Sequence, residues 1–179
     1  RWFEFVWSAD YAALHARYQR VAATNDPQAL LVFVSRHPYH ADGLLQLADV
    51  YARTGNMEQA ADAIRRCIFV MEFAAVDGFR PATGRCRMDA SLPANRAFFA
   101  ALFRQARLAA TMGCPGVATE VCRLLLSLDP VGDPAAALLC LDYYALASGR
   151  HDVVDAVAGS GLAAGFSAEQ CAAGLDDAG

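Results

Sequence analysis

The stretch Asn95–Leu146, NRAFFAALFRQARLAATMGCPGVATEVCRLLLSLDPVGDPAAALLCLDYYAL, constrains the fold more than any other part of the chain. Apolar residues recur in it at helical spacing. Phe98, Leu102, Phe103, Leu108 and Met112 mark one segment, and Val117, Val121, Leu124, Leu125 and Leu128 the next. A Gly-Cys-Pro turn separates these two, and an Asp-Pro break divides the second from a third apolar segment. Helices joined by so short a turn must lie side by side and antiparallel. Such a hairpin cannot bury both of its apolar faces alone, so it needs neighbours of its own kind. The stretch therefore predicts an all-α chain of stacked helical hairpins.

The remainder of the 179 residues fits that architecture. Hydrophobic residues make up 56%, above the usual share of about 45–50%, and much of the excess is alanine and leucine, both strong helix formers. One domain with a sizeable core is expected. Every basic residue is arginine, and the charge is unevenly spread. Residues 77–107 carry six arginines against two acids, whereas residues 108–179 carry two arginines against nine acids. WFEFVW at the start is short and has no cleavage pattern behind it, and no window approaches 18 uncharged apolar residues, so neither a signal peptide nor a membrane span is expected. Six cysteines include no C-x-x-C pair, and Cys67, Cys122 and Cys140 sit in apolar helical runs as small core residues. This usage suits a reducing compartment, cytoplasm or nucleus.

Along the chain, Ser8 or Asp10 is placed to cap a helix running to about Ala23, and Asn25-Asp26-Pro27 to stop it and start the next. His37-Pro38 ends that second, short helix. From Asp42 the pattern Leu44-x2-Leu47-Ala48-x2-Tyr51, Gly55, Ala60-x3-Ile64 follows the tetratricopeptide repeat, with leucine in place of its opening tryptophan. Ala48 is small where two helices cross, Tyr51 fills the gap between them and Gly55 supplies the turn. Leu102, Gly113, Ala118-x3-Cys122 and Pro130 repeat the pattern, and Leu138, Gly149 and Val154 do so more weakly. These features predict a tetratricopeptide-like helical-repeat domain, an α-solenoid, over residues 1–158. One arginine-rich insertion loop interrupts it at 77–93, DGFRPATGRCRMDASLP, and an Ala/Gly-rich acidic tail of weak order follows at 159–179.

Three constellations bear on chemistry. His37-Pro38-Tyr39-His40 with Asp42 resembles a metal cluster, but Pro38 forces an extended path and no further ligand lies at the required spacing. A structural role is favoured, in which Pro38 ends one helix, Tyr39 plugs the gap between repeats, and His40 or Asp42 caps the next helix. Cys86 or Cys114 could pair with His15, His37, His40 or His151 as a hydrolase nucleophile, yet neither cysteine lies in a known signature, and GCPG at 113–116 lacks a phosphate-loop lysine. The sharpest hint is the cluster Arg80, Arg85, Arg87, Arg96, Arg104 and Arg107. It suits phosphates or the carboxylates of an acidic protein face or peptide, or else it pairs internally with Asp77, Asp89 and the acidic C-terminal half. Arg80, Arg85, Arg87, Asn95 and Arg96 are the candidate partner-binding residues. No catalytic, cofactor or metal-binding residue is assigned.

The blocks PYHADGLLQLADV (38–50), GRCRMD (84–89), NRAFFAAL (95–102) and residues 113–146 together resemble the family of transcription factor 25 and ribosome quality control complex subunit 1. WFEFVWSADY fits more loosely. Gly116 stands where the family has a basic residue and Arg123 where it has lysine, and residues from 150 onward find no match. The resemblance implies a non-enzymatic scaffold that assists ubiquitin-dependent clearance of stalled nascent chains from the large ribosomal subunit. Its partners there would be the E3 ubiquitin ligase Listerin, ubiquitin and a AAA-type segregase, with ribosomal RNA contact as a further expectation. The location implied is cytoplasmic, with a nuclear role through transcriptional co-repression as an alternative. A generic tetratricopeptide co-chaperone module that binds an acidic peptide is the other binding alternative.

Overall fold

The computed structural model describes residues 1–133 and 135–160. It is mostly helical, with α1 (Ala9–Ala22), α2 (Pro27–Arg36), α3 (Ala41–Arg53), α4 (Met57–Ala74), α5 (Pro93–Thr111), α6 (Pro115–Leu128), α7 (Ala137–Ala147) and α8 (His151–Gly159). The acidic-tail expectation falls on residues that, apart from Gly159 and Ser160, lie outside the described ones.

Local chemistry sets the helix starts. The Ser8 side chain accepts from the Tyr11 N–H, and Asp26 accepts from Gln28 with Pro27 at the first helical position. His40 caps α3, its Nδ1 accepting from the Gly43 N–H at 3.0 Å. The helix stops recur as one motif. Gly55 and Gly113 adopt left-handed φ of 80° and 78°, a conformation a side chain would strain. The residue after each glycine then donates back five positions, Asn56 to the Tyr51 carbonyl and Cys114 to the Ala109 carbonyl. Arg150 closes onto Ala145 in the same way after Gly149.

These turns fold α3 onto α4 and α5 onto α6, while α4 packs on α5 and α6 on α7. Alanine allows the close approaches: Ala101, Ala106, Ala118, Ala137 and Ala145 are all fully buried. Around them Leu44, Cys67, Phe98, Cys122, Leu125 and Leu141 fill a core continuous from α2 to α8. Ala48 and Ile64 belong instead to a small separate cluster with Leu108. Replacing Ala118 by Leu would add three carbons where no space remains, and should lower unfolding free energy by about 2 kcal/mol in urea titration. An unchanged midpoint would place that helix face differently.

The chain is mostly helical, as its periodicity predicts, with one short parallel pair added: β1 (Trp2–Phe3) pairs with β2 (Arg87–Met88). The region 77–93 is accordingly not a simple loop, since it contains a 3-10 turn at Pro81–Thr83 as well as β2, and buries Cys86, Met88 and Ala90. Tyr39 plugs no gap either. It is 69% exposed, because the Pro38-Tyr39 turn carries it to the surface, and Tyr11, Tyr18 and Phe33 pack around His40 instead.

Candidate functional site

The insertion works as a clasp between three distant parts of the chain. The Arg1 nitrogen donates to the Arg85 carbonyl, and the Arg87 N–H to the Arg1 carbonyl, holding the N-terminal strand. Asn95, fully buried in the first turn of α5, ties two segments together: its Oδ1 accepts from the Phe5 N–H at 2.9 Å, and its Nδ2 donates to the Asp89 carbonyl at 2.7 Å. One Arg87 nitrogen donates to the carbonyls of Gly84, Cys86 and Ser127, reaching the end of α6. Asp129 completes that junction by accepting from the N–H groups of Ala90 and Gly132. Phe3, Phe5, Phe79 and Phe98 meet edge to face beneath the clasp.

The five candidate binding residues therefore divide. Asn95 and Arg87 hold the fold, with their polar groups directed into the chain. Arg80, Arg85 and Arg96 are exposed. Arg96 donates to the Ser91 carbonyl, while the Arg80 and Arg85 side chains have no hydrogen-bond or ion-pair partner among the described residues. Internal pairing with Asp77, Asp89 or Asp142 does not occur among the described residues. Asp89 turns to Ser91 instead, whose hydroxyl and N–H hold its carboxyl below the usual range. Arg104 is engaged elsewhere, donating through two nitrogens to Asp49 of α3 at 2.9 and 2.7 Å.

His40 has a different neighbour from the one its sequence suggests. His37 stays against Phe33, and it is His15 of α1 that comes within ligand distance of His40 and Asp42. The His15 Nδ1 lies 3.5 Å from the Asp42 carboxylate. The donor set is poor for a cation, because the Gly43 N–H already occupies the His40 Nδ1 lone pair. The neutral ring then carries its proton on Nε2, which is buried with no hydrogen-bond partner among the described residues and, so protonated, offers no lone pair. Burial, with His15 and His37 nearby, pushes the His40 pKa down to about 4.

Nor do Cys86 and Cys114 form a nucleophilic pair with a histidine among the described residues. Cys86 is buried and Cys114 exposed, and neither is hydrogen-bonded to an imidazole among the described residues. Burial pushes the Cys67 and Cys122 thiols up to about 12, which keeps them protonated.

The geometry thus defines a helical domain closed by an arginine-bearing clasp. The family described as transcriptional repressor TCF25 matches residues 3–160, and the chain belongs to it. The match runs past residue 146, where the sequence blocks noted above end, and takes in residues 150–160, for which the sequence offered no match. A human protein named ribosome quality control complex subunit TCF25 is 35% identical over 150 residues, 84% of this chain and 22% of that protein. Ribosome quality control complex subunit 1 of Schizosaccharomyces pombe is 31% identical over 144 residues, 80% of this chain and 22% of its own length. A protein of Ampulloclitocybe clavipes named probable transcription factor claV is 36% identical over 149 residues, 83% of this chain and 19% of its own. The chain thus spans about a fifth of the length of these curated relatives.

Proposed function

We propose that this domain is a non-enzymatic protein-interaction scaffold in cytoplasmic ribosome-associated quality control. In this reading its hairpins stack as a tetratricopeptide-like solenoid, which the thrice-repeated glycine turn supports. The clasp presents Arg80, Arg85 and Arg96 to a partner. The observation that carries the reading is the contrast around one insertion: Asn95 and Arg87 lock it to the fold, while Arg80 and Arg85 have no side-chain partner among the described residues. Arginines with a fixed base and free heads suit carboxylates or phosphates, because little further ordering is needed on binding. The names of the relatives point to the setting, and the family resemblance points to Listerin, ubiquitin, the segregase and the large ribosomal subunit as partners.

The test is Arg80→Glu/Arg85→Glu/Arg96→Glu in the intact chain, with capture of purified large ribosomal subunits and of Listerin measured separately. Melting should be unchanged, while binding to one of the two falls by about tenfold or more and more steeply at low salt. Full retention of both would remove the clasp as the contact surface. Transcriptional co-repression, which the family description and the claV name favour, would also rest on protein contacts. A net charge of −4 gives little electrostatic attraction to DNA.

A further inference from the structure

A second charged surface lies away from the clasp sequence and has no part in the reading above. The last turns of α3, the first turns of α4 and the C-terminal half of α5 enclose an open groove of about 530 Å3. Its floor is apolar and shallow, made by Ala48, Ile64 and Leu108, the cluster that stands apart from the main core. Ala52 lines the groove and is exposed. Arg53 and Arg107 also line it, both exposed and neither with a hydrogen-bond or ion-pair partner among the described residues. The one acid in the lining, Asp49, is already neutralised by the third arginine, Arg104. Among the described residues the groove therefore carries two uncompensated positive charges over an aliphatic floor, in a chain whose net charge is −4.

We propose that this groove binds an extended acidic peptide segment of a partner protein, with one apolar side chain seated on the floor and flanking carboxylates held by Arg53 and Arg107. Alanines at 48 and 52 leave room that larger residues would close. Guanidinium groups clamp carboxylates through two parallel hydrogen bonds, and apolar surface beside them supplies affinity that charge alone does not. The volume falls in the range of about 300–1,000 Å3 usual for ligand sites. An aliphatic floor favours an aliphatic or aromatic side chain over a ribose-phosphate backbone, so a protein segment suits it better than RNA.

The probe is a fluorescein-labelled peptide, Gly-Asp-Glu-Leu-Phe-Glu-Asp-Gly, read by anisotropy against the full 179-residue chain. Its controls are the same peptide with Asn and Gln for the acids, and a labelled oligouridine of about ten nucleotides, a length typical of single-strand sites. The acidic peptide should bind at micromolar concentration in low salt and weaken by about tenfold or more in three settings: the amide control, the Arg53→Glu/Arg107→Glu variant and raised salt. Ala52→Trp, which fills the groove without altering charge, should weaken it several-fold. Both variants change exposed residues and should melt as the parent does. Arg80→Glu/Arg85→Glu/Arg96→Glu should leave peptide binding intact, so loss of clasp function and loss of groove function are separable. Four results would overturn the proposal: no saturable binding below about 1 mM, equal binding of the amide peptide, tighter binding of the oligonucleotide, or loss of binding only in the clasp variant.

Discussion

Asn95→Ala should cost about 3 kcal/mol of unfolding free energy and release the N-terminal segment from the domain. The substitution removes both hydrogen bonds of a fully buried amide, leaving the Phe5 N–H and the Asp89 carbonyl without their partner. A buried polar group stripped of its partner costs about 1–3 kcal/mol, and here two are stripped at once. Phe5 packs against Phe79 and Phe98, so loss of its anchor also loosens apolar contacts. Urea unfolding measures the total, and limited proteolysis within residues 1–8 reads the release. Asn95→Asp keeps an acceptor for Phe5 but turns a charged oxygen toward the Asp89 carbonyl, so it should not rescue. A variant with parent-like stability and parent-like protection of the N-terminus would show that the clasp is dispensable.

Acidification should destabilise the domain by about 3 kcal/mol between pH 7 and 4 through His40 alone. Its pKa is about 4 in the fold against 6.5 when exposed, because burial disfavours the charged ring. In this window the unfolded chain binds a proton that the folded chain refuses. Stability from this group is therefore fully present above pH 6.5 and lost as pH falls toward 4, at about 1.4 kcal/mol per pH unit. Asp42 works in the opposite sense. Burial raises its pKa, so the fold takes up that proton more readily than the unfolded chain and regains some stability at the acid end. The clearest loss thus lies between pH 6.5 and 5, amounting to about 2 kcal/mol. His40→Asn retains a capping acceptor for the Gly43 N–H and removes the titration, so its stability should change less over that interval. Parallel curves for the two proteins would assign the pH dependence to another group.

What the sequence revealed and what it concealed divide along separation in the chain. The turns at Gly55 and Gly113, the Asp26-Pro27 start and the α3 cap are decided by residues within five positions of one another, so their chemistry could be read locally, down to the choice between His40 and Asp42 as that cap. The β1–β2 pair, the approach of His15 to Asp42 and the Arg104–Asp49 pair join residues from different elements, and no local pattern announces them. Tyr39 fails for a related reason. An aromatic beside a proline reads as a plug, but only the tertiary arrangement shows that Tyr11 and Tyr18 already surround His40. The arginine cluster was visible as charge, whereas its division into Arg87, which is spent on three carbonyls, and Arg80 and Arg85, whose side chains have no partner among the described residues, was not.

The clasp also sets an order of events during synthesis. Phe5 and its anchor Asn95 are separated by 90 positions, so the N-terminal aromatic strand leaves the ribosome long before its docking site exists. At about 5–20 residues per second, that interval lasts roughly 5–20 seconds. Throughout it Trp2, Phe3, Phe5 and Trp7 form an apolar run with no strand to pair with, the kind of segment that recruits other chains or chaperones. The α3–α4 hairpin can close meanwhile from its own local contacts. Synthesis halted before Asn95 would thus hold this domain as a folded α3–α4 hairpin preceded by an adhesive aromatic segment.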